Sequence, residues 1–244
     1  TVLLIFFFLS RKTTLAVAIM SASFFAVHPI LVESVTWISG GVYAQYSFFF
    51  LLSFVAYVFS GKQVKFYALS IVSFVLMLFS SERSIALSLV FPLYEVSLGS
   101  LRANWEKTLP YLVSSALAVL LNFVQIGQRR VYFVSDSPPD QILMNPLQQI
   151  PIAITSYLEL IFWPDKLTLY HSEMMFTQLE YVVRLFFFVL LLGLIVFCYR
   201  KNRFLFFWFC FLFVFLLITL TPFGIAWIVA ERYIYLGALG IFIP

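Results

Sequence analysis

Charge is what this sequence has least of. Of its 244 residues only 11% are Asp, Glu, Lys or Arg, against 63% hydrophobic, and the mean hydropathy is +1.01. A water-soluble domain of this length could not hide so much apolar side chain, so an integral membrane protein with several helical spans is expected. Cysteine is scarce as well. Cys198 and Cys210 both lie in apolar runs, which gives no disulfide framework and no thiol site. Histidine occurs twice, without a His-x-x-x-His or His-Glu-x-x-His spacing, so the signal for a metal is weak. No cofactor is evident, and a divalent metal stays an open question. The absence of Walker A, Gly-x-Gly-x-x-Gly and Gly-x-Ser-x-Gly patterns argues against an ATPase, a nucleotide-binding domain and a serine hydrolase. No basic cluster interleaved with aromatics points to nucleic acid, and no cleavable signal peptide is visible.

What is abundant is aromatic side chain, 20% of the residues with 31 phenylalanines. Apolar runs near 14–28, 46–60, 66–80, 84–98, 108–126, 181–199 and 204–221 could each form a membrane helix. Several are shorter than the roughly 20 residues of a perpendicular crossing, a deficit that bilayer thinning can absorb. The gaps holding Arg11/Lys12, Lys62/Lys65, Arg102/Lys107 and Arg200/Lys201/Arg203 belong inside by the positive-inside rule. That threading puts nine of fifteen basic residues inside and nine of eleven acidic ones outside, so one orientation accounts for both signs. The segments 28–45, 128–147, 165–180 and 224–232 then face outward, toward periplasm or lumen. The stretch 148–163 is apolar enough to span, yet both its flanks must face outward. With Pro151, Glu159 and Pro164 it reads as a re-entrant or interfacial helix, the alternative being a true span that breaks the charge pattern. Thr1 opens within a half-length apolar run and Pro244 closes another, so both ends read as cut from one membrane domain covering 1–244.

The polar residues that remain gather on the outward side. His28-Pro29-Ile30-Leu31-Val32-Glu33-Ser34-Val35-Thr36-Trp37 sets a histidine and a carboxylate between two apolar stretches, where charge is expensive and tends to be kept for binding or chemistry. Pro29 breaks helical geometry and frees His28 and Glu33 to converge. Two roles stay open: contact with a polar head group, or helix capping by His28 with Glu33 bonding backbone groups. Tyr170, His171 and Glu173 share that side. So do Glu231, Arg232, Tyr233 and Tyr235, which suit either a phosphate-binding fork or an interfacial anchor belt. Glu82-Arg83 reads as a turn with a local ion pair, and Arg129-Arg130 with Asp136 and Asp140 as an outer loop.

Four patches, in order, resemble the membrane domain of the transmembrane and tetratricopeptide-repeat O-mannosyltransferases and their bacterial relatives. They are Phe25–Ile38, Phe162–His171, Thr221-Pro222 and Ala230–Leu236. The chain departs from the family pattern at Leu31, at Ser39-Gly40-Gly41-Val42-Tyr43, and before Ile85, where a frequent lysine is matched loosely by Arg83. The resemblance implies an all-α polytopic bundle of GT-C type and transfer of a sugar, mannose in the named family, from a polyprenyl- or dolichyl-phosphate donor. The acceptor would be a protein or glycan on the outer face, in a bacterial inner membrane or an endoplasmic reticulum membrane. It also implies a substrate-binding set of His28, Glu33, Trp37, Tyr170, His171, Glu231, Arg232 and Tyr233, with Arg232 on the lipid phosphate. The catalytic carboxylate is expected upstream of Thr1 and the repeats beyond Pro244. The rival expectation is a non-catalytic module, such as a transporter or flippase component handling lipid-linked glycans.

Overall fold

The computed structural model describes residues 1–61, 63–133, 146–168, 171, 176–220 and 229–244, with the side chains of 123–133 and 146–148 left aside. Among them the chain is helical, with no strand. Two segments, Ile38–Ser60 and Gln178–Lys201, are long and apolar enough to cross a membrane; the bent pair Leu15–Val27 and Pro29–Thr36 makes a third if counted as one span.

α1 (Val2–Lys12) and α2 (Leu15–Val27) form a hairpin whose turn is capped by the Thr14 hydroxyl. α3 (Val32–Thr36) follows a short 3-10 turn, then come α4 (Gly41–Ser60) and α5 (Val64–Ser80). α4 and α5 pack closely because small residues line their seam. Ser53 Oγ donates to the Ser70 carbonyl at 2.8 Å and Ser70 Oγ to the Ser53 carbonyl at 2.7 Å, satisfying polar groups where no water reaches. Ser70 also meets the Tyr111 hydroxyl at 2.6 Å, which ties the seam to α7 (Leu101–Phe133).

The expected span over 84–98 is not one α-helix. Glu82–Leu89 winds as a 3-10 helix, and α6 occupies only Val90–Ser97. Ser84 and Ser88 turn their hydroxyls onto nearby carbonyls, Ser84 reaching Met77 at 3.1 Å and Ser81 at 2.6 Å. Such back-bonding competes with regular helix.

α8 (Pro146–Phe162), α9 (Gln178–Lys201), α10 (Arg203–Leu216) and the short α11 (Leu239–Phe242) complete the described helices. Arg184 of α9 clamps α8 through Thr155 Oγ1 at 3.2 Å, Ser156 Oγ at 3.1 Å and Glu159 at 2.7 Å. Most of the remaining apolar side chains of α9 are exposed, the pattern of a helix facing lipid. α10 carries the aromatic core: Phe207 stacks on Phe54 at 5.8 Å and Phe211 lies 5.9 Å from Phe50. Gly240 lets α11 seat against it, because a Cβ there would stand 2.7 Å from the Trp208 carbonyl oxygen and 3.1 Å from the Leu212 nitrogen, neither of which can yield.

The basic gaps collect at one end of the bundle. Lys12 Nζ reaches the Tyr94 hydroxyl at 3.3 Å, and Lys107 Nζ the Gly61 carbonyl at 3.3 Å. Phe8, one turn before Lys12, packs on Trp208, just after Arg203. Among the described residues, the outward-assigned segments 28–45, 165–180 and 224–232 meet through Glu33–Arg232 and Glu231–Thr168, and their meeting point is the site.

Candidate anion-binding site

The site begins where α2 stops. Pro29 disfavours a helical His28, which is extended at φ −66° and ψ 128°, and the chain turns through Pro29–Leu31 into α3 with a bend of 57°. His28 is spent on this turn. Its Nδ1 accepts from the Ile30 N–H at 3.3 Å, so Nε2 carries the proton and donates to the Ile161 carbonyl of α8 at 2.9 Å. It therefore caps a turn and clips it to α8, with the ring beside Phe242.

α3 swings Glu33 inward to meet Arg232. Glu33 Oε2 accepts from the Arg232 backbone N–H at 2.8 Å, and Oε1 pairs with the Arg232 guanidinium. Both side chains are buried, 6% and 7% exposed. Burial works against the Arg232 charge, but the hydrogen bond and charge of Glu33 hold its pKa above the ordinary arginine value. Arg232 lies over the rings of Trp37 and Tyr233, each at 5.1 Å. Gly40 is needed here, since a Cβ would come within 2.9 Å of the Trp37 ring and 3.2 Å of the Glu33 carbonyl oxygen. The pair joins residues 199 apart in the chain, and with them the first and last of the four resembling patches.

Glu231, also buried, faces another way. Its Oε1 accepts from the Thr168 N–H at 2.6 Å and stands 3.7 Å from His171 Nε2, a distance for attraction but not for a hydrogen bond. His171 Nε2 is buried and has no hydrogen-bond partner among the described residues. The second patch is thus drawn to the last one as well. Tyr170, Glu173, Thr221-Pro222, Asp136 and Asp140 lie outside the described residues. Among the described residues no three His, Cys, Asp or Glu side chains gather as a metal site.

Arg83 corrects the sequence reading. It makes no ion pair with Glu82, which is exposed. Ser81 Oγ accepts from the Arg83 N–H at 3.2 Å and starts the 3-10 helix, whose tight winding sends neighbouring side chains apart. The guanidinium runs inward instead. It donates to the Tyr43 hydroxyl at 2.5 Å and the Tyr233 hydroxyl at 3.3 Å, and lies over the Tyr233 ring at 4.2 Å. Tyr43, in the first turn of α4, stands between the two arginines and is near enough to Arg232 to feel its charge.

Of the expected set, Glu33, Trp37, Arg232 and Tyr233 form one group and Glu231 with His171 a second, while His28 is spent on its turn and its clip to α8. Arg83 and Tyr43 were not in it. Sequence proximity assigned Arg83 to Glu82, and Tyr43 sits where the family pattern fails. The one available signal was that an arginine on the outward side should seek deeper partners than an exposed neighbour. No protein-family model, curated protein or solved structure matches the chain.

Proposed function

We propose that the chain is the membrane domain of a GT-C type glycosyltransferase that takes a sugar, mannose by the resemblance, from a polyprenyl- or dolichyl-phosphate donor. The acceptor is a protein or glycan on the periplasmic or lumenal face of a bacterial inner membrane or an endoplasmic reticulum membrane. One observation supports this most: patches far apart in sequence, which resemble one family, converge through Glu33–Arg232 and Glu231–Thr168. The result is a cationic, ring-lined surface at the end of the bundle opposite the basic gaps, where a lipid head group would present its phosphate. Preorganised cations stabilise a leaving phosphate in an inverting displacement at the anomeric carbon.

The test is sugar transfer by membranes bearing the full-length chain, supplied with radiolabelled polyprenyl-phosphate sugars. Transfer that is seen with such a donor and lost on changing an outward-facing carboxylate of the full-length chain supports the enzyme. Absence of transfer from every such donor removes it. The second reading, a transporter or flippase component, draws on the 57° break between α2 and α3, because discontinuous helices build transport sites. Movement of a lipid-linked glycan across the bilayer without transfer would favour it.

A further inference from the structure

We propose that Arg83, with the hydroxyls of Tyr43 and Tyr233, holds a singly charged phosphate diester, and that the Glu33–Arg232 pair is the wall of this site. The expectation that Arg232 holds the lipid phosphate gives way to Arg83 on two grounds. The first is charge. Arg232 is matched by a buried carboxylate, whereas no carboxylate among the described residues lies within 4.0 Å of Arg83. An uncompensated half-buried cation is costly to keep, and an anionic ligand relieves that cost.

The second ground is the balance of donors. Tyr43 and Tyr233 both accept from Arg83, so each keeps its own O–H proton, and no acceptor among the described residues takes either one. The guanidinium adds further N–H groups, since only two of its nitrogens are engaged. A surplus of donors around one cation, walled by the rings of Tyr43 and Tyr233, fits an oxyanion with two free oxygens. The charge also sets the class. One free guanidinium matches the single negative charge of a phosphate diester, as in a prenyl phosphosugar. A diphosphate would place its further charge beside an arginine already matched by Glu33.

This inference rests on the glycosyltransferase reading only for the identity of the diester. The full-length chain in detergent micelles is titrated, with native mass spectrometry as the readout, against a short-chain prenyl phosphosugar, the matching prenyl diphosphate and inorganic phosphate. The phosphosugar binds tightest, and Arg83→Gln weakens it about tenfold or more, as expected for loss of a charge-assisted bond. Arg83→Lys recovers part of the affinity, because the charge stays while the fork is lost. The double change Tyr43→Phe and Tyr233→Phe keeps every charge and also weakens binding, which serves if Arg83→Gln does not fold. Unchanged phosphosugar affinity in a folded Arg83→Gln protein, or in the double variant should Arg83→Gln not fold, overturns the site. Tighter, Arg83-dependent binding of the diphosphate overturns the single-charge assignment, and equal binding of inorganic phosphate overturns the lipid one. Sugar transfer that survives Arg83→Gln sinks this site and leaves the enzyme standing. Arg83-dependent binding without transfer does the reverse.

Discussion

Two buried glutamates, Glu33 and Glu95, sit at opposite ends of the bundle and are satisfied in opposite ways. Glu95 lies among neutral donors: Tyr57 gives its hydroxyl to Oε1 at 2.7 Å, while Asn104 Nδ2 at 2.8 Å and the Ser100 N–H at 3.0 Å serve Oε2. Both carboxylate oxygens are met there by neutral donors, without a cation. The cluster closes the turn between α6 and α7. Around Glu33 the same residue types leave an excess. Its carboxylate is used up by Arg232, and Arg83 with two phenols is left with protons to give. The first cluster is complete without a cation; the second is where, on the proposal above, a ligand completes the hydrogen bonding.

The contrast can be broken most severely at Glu33. Glu33→Ala leaves Arg232 buried without its carboxylate and is expected to cost about 3–5 kcal/mol, read as loss of resistance to denaturation in micelles. Next comes Glu95→Ala, which strands the Tyr57, Asn104 and Ser100 donors and costs on the order of 2–3 kcal/mol, with affinity for any anion unchanged. Altered anion binding in that variant would blur the distinction between the two ends. Gly240→Ala touches neither cluster and tests the packing between them. Its Cβ meets main-chain atoms of α10, so about 1–3 kcal/mol of destabilisation is expected in the same assay. The smallest effect belongs to Glu82→Gln. Because Arg83 bonds tyrosines, this change should stay within about 0.5 kcal/mol, whereas a larger loss would restore the Glu82–Arg83 pair.

How much of this was legible depended on range. α2, α4, α5, α9 and α10 follow from apolar runs, since a helix that buries or exposes only hydrocarbon announces its own length. The 84–98 run failed because hydropathy counts Ser84 and Ser88 as mildly polar. It does not register that their hydroxyls can bond the backbone and wind it more tightly. Of the two roles weighed for the His28–Glu33 stretch, the structure shows the capping one: His28 caps its turn and Glu33 bonds a backbone N–H. The partner of Glu33 lies 199 residues away, beyond any periodicity, and only the motif likeness hinted that the two ends meet. Arg83 was missed for the converse reason. A neighbouring opposite charge looks like a partner in one dimension and need not be one in three.

The measurement that bears most directly on the account is a double-mutant cycle between Glu33 and Arg232, with stability in micelles as the readout. Glu33→Gln, Arg232→Gln and the double variant are compared with the parent. The account predicts strong coupling, at least about 1.5 kcal/mol, with the double variant less damaged than the two single changes summed. Simple additivity would mean that the first and last patches do not meet. The walled anion site would then have no basis.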